Sequence, residues 1–213
     1  MSAILLKDIK KYYGDTLALD IGHLSLDEGI YWVQGGNGAG KTTWLKVMAG
    51  LLSFRGEILL QGAVSSLHHP VAYRRKVNYG EAEPLYPGFL TGRELLRLYL
   101  STKGGDADRI LELGAAMGVN DFLLRPVSTY SSGMLKKLSL LLSFTGVPSL
   151  ILLDEPLITL DVQTIPLLYD MIREWREEYG VTFCITSHQV IAETEFAVNG
   201  TLLVENRQVR IIG

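Results

Sequence analysis

Two rhythms of apolar and polar positions alternate along the chain. Strand-like runs stand at residues 4–9, 30–34 and 57–61, and again at 150–154, 181–186, 201–205 and 208–212. Helical patterns fall between several of them. The run Leu150-Ile151-Leu152-Leu153 has no alternation at all, the pattern of a parallel strand covered on both faces. Together these predict an α/β architecture with a mostly parallel sheet. From about residue 84 to about residue 146 the strand rhythm stops and only helical patterns remain, with turn signals at Pro87-Gly88, Gly104-Gly105 and residues 118–120. That stretch reads as a helical subdomain inserted into the α/β core, and the 213 residues read as one domain. No internal repeat, low-complexity tract or flexible linker interrupts it.

Composition sharpens this picture in a few places. A hydrophobic fraction of 47% with a mean hydropathy of +0.19 suits either a buried parallel sheet or an apolar docking surface. A net charge of −3, without any long Lys/Arg run, leaves no basic footprint for nucleic acid, so direct nucleic-acid binding is not expected. Cys184 is the one cysteine, which excludes an intrachain disulfide and predicts a small buried thiol. Residues 138–153 form the most apolar stretch but fall short of the ~20 needed to span a bilayer, and they contain Gly146 and Pro148. They read as a helix end, a turn and a buried strand. The opening apolar run, residues 3–6, gives way to Lys7, Asp8, Lys10 and Lys11, too short for a secretory signal core, so a cytosolic location is expected.

Candidate chemistry begins at Gly35-Gly36-Asn37-Gly38-Ala39-Gly40-Lys41-Thr42, which fits the pattern G-x-x-x-x-G-K-[ST] between a strand-like run and a helix-like run at residues 44–52. Glycines let backbone N–H groups turn inward around phosphates, and the helix that follows adds the positive end of its dipole. Lys41 is placed to reach the β- and γ-phosphates, and the Thr42 hydroxyl to hold magnesium. A second element, Leu150 to Glu155, is four apolar residues ending in two acids. Carboxylates at the C-terminal edge of a parallel sheet sit where such folds bind ligands. Asp154 suits magnesium, and Glu155 suits a water to be aligned on the γ-phosphate.

In order and spacing these elements resemble the ATP-binding cassette (ABC) ATPases. Tyr130-Ser131-Ser132-Gly133-Met134 is similar to the family signature Leu-Ser-Gly-Gly-Gln and stands upstream of Asp154-Glu155 at the family's spacing. Thr159-Leu160-Asp161 resembles the D-loop, Ser187-His188 the switch histidine, and Tyr13 before Gly14 the aromatic A-loop residue. The resemblance covers residues 5–203 and implies a P-loop NTPase fold of the ABC type, with a mostly parallel core, an antiparallel β part and the inserted helices. It implies ATP and Mg2+ as cofactors. Nucleotide contacts would come from Tyr13, Gly35, Asn37, Gly38, Ala39, Gly40, Lys41, Thr42, Thr43, Ser131, Gly133 and Asp161. Thr42 and Asp154 would hold the metal, and Glu155 and His188 would be catalytic.

The same resemblance implies a head-to-tail pair of cassettes with two ATP molecules between them. A second ATPase copy or close relative would complete the pair. A separate transmembrane permease would hold it at the inner face of the cell membrane through a groove near residues 80–100. The implied function is the ATP-hydrolysing subunit of an ABC transporter, with export favoured. A haem or cytochrome maturation exporter cassette, and a non-transport cassette of DNA repair or translation, stand as alternatives. Ser131-Ser132-Gly133 also has a plainer reading, an ordinary N-cap for the helical run 134–144.

Three departures from the family pattern alter expectations. Where the Q-loop glutamine belongs, the chain reads Tyr79-Gly80-Glu81-Ala82-Glu83-Pro84, so Glu81 or Glu83 is expected to substitute for it as a magnesium or water contact. An ionised carboxylate cannot donate as an amide does. Ser132 and Met134 replace Gly and Gln in the signature, and the Cβ at Ser132 restricts close phosphate approach. Residues 157–159 are more apolar than the usual lead-in to the D-loop, which favours contact between two copies.

Overall fold

Ten residues, Ile4–Tyr13, form strand β1, and the chain folds back at Gly14 (φ 56°) into β2, Thr16–Leu26. The sequence gives β2 away poorly, because Gly22 and His23 are both exposed and break the alternation that Leu19 and Ile21 begin. The hairpin pairs Ile4 with Leu26 and Tyr13 with Thr16. A computed structural model describes residues 3–187 and 197–212. The next strand, β3, is Ile30–Gln34, followed by helix α1, Lys41–Met48. Strands β4 (Arg55–Leu60) and β5 (Val64–Ser65) then extend the hairpin into an antiparallel sheet of order β2-β1-β4-β5.

A second sheet carries the chemistry. After helix α2 (Pro70–Lys76) comes β6, Val77–Gly80. Three helices follow, α3 (Gly92–Lys103), α4 (Ala107–Ala116) and α5 (Ser132–Ser143), before β7, Leu150–Leu153. Helix α6 (Thr164–Tyr179) leads to β8, Thr182–Thr186, and the chain ends in β9 (Gly200–Glu205) and β10 (Gln208–Ile211). The six strands lie in the order β10-β9-β3-β8-β7-β6, parallel from β9 to β6 with β10 antiparallel at the edge. This is the α/β arrangement with a mostly parallel sheet that the pattern predicts, with the antiparallel part that the resemblance implies, and helices α3, α4 and α5 stand between β6 and β7.

Local chemistry sets the helix ends. Thr91 and Glu94 form a reciprocal capping box before α3, and the Asp106 side chain caps α4. Gly180, at φ 66°, closes α6 in the left-handed conformation that glycine takes without penalty.

Strand β7 explains why its run carries no polar position. Leu150 and Leu152 pack with Val33, Trp44 and Cys184 into a core beneath the antiparallel sheet. Ile151 and Leu153 pack into a second core with Leu138, Phe144, Phe183 and Trp175 under the helices. Phe144 meets Trp175 edge-on, ring centroids 5.2 Å apart. Cys184 is buried, as expected. Two polar ties fasten the helices to β6. The Asn78 amide donates to the Ser143 and Thr145 carbonyls at 2.8 and 2.7 Å. Lys103 Nζ donates to the carbonyls of Val77, at 2.7 Å, and Arg74.

Candidate functional site

Strand β3 delivers the chain to the glycine-rich loop, and the loop turns into α1 through Gly38 (φ 75°) and Gly40 (φ 104°), conformations that a side chain would strain. The first turn of α1 therefore aims its N–H groups into a cavity of about 300 Å3. Residues 37–43 line it together with Ala82, Asp154 and Glu155. The loop and the two acids, far apart in sequence, thus share one cavity. Lys41 Nζ donates to the carbonyls of Gly35 and Gly36 at 2.7 and 3.2 Å.

Cross-strand register places the acids. Leu153 of β7 lies beside Ile185 of β8, so Asp154 follows beside Thr186. The Thr186 hydroxyl donates to Asp154 Oδ1 at 2.8 Å and accepts the Glu155 N–H at 2.8 Å. Tyr79 donates its hydroxyl to Asp154 Oδ2 at 3.1 Å. Burial, with the Asp154 charge behind it, pushes the Tyr79 phenol well above its ordinary range, which keeps it a donor. Glu155 sits at φ 46°, a left-handed backbone that costs a non-glycine residue ~1–3 kcal/mol and turns it off the strand direction. Exposures of 2% for Asp154 and 8% for Glu155 put both acids in the wall.

Lys136 braces this wall from behind. Only 1% exposed, its Nζ donates to the carbonyls of Glu81 (2.7 Å), Ala82 (3.2 Å) and Asp154 (3.1 Å). Burial pulls its ammonium down to about 8, against the opposing pull of Asp154, Glu155 and Glu81. Thr186, Tyr79 and Lys136 escaped the sequence reading. Each acts across strands or through a helix, and no local pattern marks such pairings.

The loop after β6 differs from expectation. Ala82 lines the cavity, while Glu81 turns toward α1, its Oε1 3.9 Å from Lys46 Nζ, and Glu83 is exposed. The expectation that Glu81 or Glu83 takes the glutamine's place is corrected accordingly: the position that faces the cavity carries a methyl group. Among the lining residues, the Thr42 hydroxyl and the Asp154 carboxylate are hard oxygen donors, and this set fits a hard divalent cation.

The remaining candidates divide. Tyr13, 51% exposed, stands beside the loop with its hydroxyl 3.4 Å from Thr43 Oγ1, whereas the Tyr12 ring lies 5.7 Å from the Arg55 guanidinium. Ser131 caps α5, its hydroxyl accepting the Met134 N–H at 3.2 Å, and a Cβ at Gly133 would lie 3.1 Å from the Thr159 carbonyl. Asp161 accepts from the Thr164 N–H and hydroxyl at 2.9 and 2.7 Å and pairs with Lys137 Nζ at 2.6 Å. The Lys137 contact, then Thr164, hold its carboxyl down to about 2. Ser131, Gly133 and Asp161 take no part in lining the cavity that holds the phosphate loop. His188 lies outside the described residues.

A family model described as ABC transporter matches residues 22–158, more than half of the chain. The chain belongs to the ABC transporter family. Its relatives include the lantibiotic transport ATP-binding protein SrtF of Streptococcus pyogenes, 30% identical over 94% of this chain and 89% of that protein. Among solved structures, an ATP-binding subunit of an ABC transporter superposes with a TM-score of 0.84 at 25% identity, covering 98% of this chain and 88% of the other. The ATP-binding cassette MJ0796, solved as a dimer in a post-hydrolysis state with ADP and Pi, gives 0.80 at 20% identity, over 98% and 97% of the two chains. As a member of this family the chain binds ATP and is an ATPase. Among the described residues, no helix of this ABC protein is long and apolar enough to cross a membrane.

Proposed function

We propose that this chain is the ATP-hydrolysing subunit of an ABC transporter of the export type, that it works as a nucleotide-sandwich pair, and that it is held at the inner face of the membrane by a separate permease. The observation that carries this is the convergence of residues 37–43 with Asp154 and Glu155 on one cavity. The match to SrtF, a lantibiotic transport ATP-binding protein, across most of that protein's length supports the transport role. The whole chain is taken as one ATPase unit, with the helical part at about residues 84–146.

In this reading Gly35, Asn37, Gly38, Ala39, Gly40 and Thr43 cradle the phosphates through backbone and hydroxyl groups. Lys41 exchanges the Gly35 and Gly36 carbonyls for phosphate oxygens. Tyr13 offers its exposed ring to the adenine. Thr42 and Asp154 hold Mg2+, which when bound offsets charge on the phosphate oxygens. Glu155 aligns and deprotonates the attacking water, with His188 assisting at the γ-phosphate. The hydroxyl and N–H groups at Ser131 and Gly133, with Asp161, serve the nucleotide of the partner copy. Support for that last assignment is their absence from the lining of their own chain's cavity.

A groove of about 710 Å3, with Leu51, Val71, Tyr79, Leu85 and Leu98 in its lining, suits the permease contact. Leu51, Val71, Leu85 and Leu98 are all more than half exposed, and such an apolar group gathered in one groove is what a partner surface covers. Glu155→Gln tests the proposal. It is expected to keep ATP binding, slow phosphate release by about three orders of magnitude or more, and accumulate an ATP-dependent dimer on size exclusion. Undiminished turnover in that variant would remove Glu155 from its role.

A further inference from the structure

The cavity and the groove share a wall, and one side chain passes through it. Tyr79 lines the groove with its half-buried ring, while its hydroxyl reaches Asp154 on the other side. We propose that Tyr79 is a positioning residue for the ATPase reaction: by donating to Asp154 Oδ2 it fixes the plane of the carboxylate that takes the cation.

The geometry makes the hydroxyl one half of a clamp. Thr186 holds Asp154 Oδ1 at 2.8 Å, and Tyr79 holds Oδ2 at 3.1 Å. A carboxylate torsion is intrinsically broad, so a single donor leaves a pivot, whereas donors on both oxygens select one orientation. Lys136 secures the backbone separately, through the Asp154 carbonyl at 3.1 Å. Losing the Tyr79 hydroxyl therefore frees the carboxylate without moving the residue that bears it. The ring stays in place, because its position depends on the wall of the groove and on Lys46, whose Nζ lies 5.9 Å from the ring centroid. Hydrogen-bonding partners of a metal ligand commonly govern metal affinity by about 10- to 100-fold. A partner pressed into the groove would meet the same ring, which makes Tyr79 the point where docking and cation binding touch.

This inference rests on the assignment of Asp154 to Mg2+, and the test separates the two. In a Glu155→Gln background, where turnover is suppressed, binding of trinitrophenyl-ATP is followed by fluorescence in EDTA and across a magnesium chloride titration. Tyr79→Phe is expected to raise the magnesium midpoint by about tenfold. Metal-free nucleotide binding is expected to stay where it is, with the thermal midpoint lowered only by the loss of one hydrogen bond. Superimposable magnesium curves overturn the proposal. So does an equal loss of metal-free binding, which would make Tyr79 a packing residue only. Asp154→Ala is the control: if it too leaves the magnesium midpoint unmoved, the assignment of Asp154 itself fails, independently of Tyr79.

Discussion

Thr186 shows how much one hydroxyl organises here. It donates to one acid and accepts from the backbone of the next, so the two carboxyl-bearing residues are set relative to each other by a single oxygen. Thr186→Val keeps the shape, removes both bonds and leaves a buried N–H without its acceptor, a loss of ~1–3 kcal/mol. Steady-state ATP turnover is expected to fall by about tenfold or more, with nucleotide affinity in EDTA retained. Equal turnover in the two proteins would show that the Glu155 backbone needs no such support. The methyl group of Ala82, where an amide was sought, belongs to this scale as well. Its neighbours Glu81 and Glu83 carry the charge, but side-chain direction in an irregular loop follows backbone turns that residue type does not encode.

At the scale of elements, α5 is the informative one. Its N-terminus carries the signature, its interior carries the buried Lys136, and its far end is tied to β6 by Asn78. Ser131→Ala removes the cap and is expected to destabilise the chain by about 1 kcal/mol in urea unfolding. If Ser131 also serves the partner's nucleotide, the same variant loses ATP-dependent dimer beyond what that destabilisation explains. A midpoint equal to the parent's would mean that the cap contributes nothing. The phosphate loop, the parallel run at residues 150–153 and the helical stretch were legible because each is a local pattern. Strand β2 was not, since two exposed residues in succession mask its alternation, and β6 has only four residues, too few to display a period. Likewise the acids were legible at Asp154 and Glu155, but their neighbours Thr186, Tyr79 and Lys136 meet them only through sheet order.

For the whole molecule, Lys103 supplies a pH dependence. Its half-buried ammonium has a pKa lowered from 10.5 to about 8, because partial burial disfavours the charge and Arg74 stands nearby. Between those values the unfolded chain binds the proton and the folded chain does not, so this group makes stability rise with pH across that window. Below about 8 both states are protonated, and the penalty of burying the charge is present in full. Urea midpoints measured from about pH 7 to about pH 10 are expected to rise less steeply in Lys103→Met than in the parent. Parallel curves would place the titration elsewhere. A last consequence follows from β7, whose alternate side chains belong to opposite cores and whose end bears the two acids. Genetic variation deep in either half of the protein is therefore felt at the hydrolytic edge. Screens for loss of transport should recover lesions on both sides of that strand, many of them remote from any nucleotide.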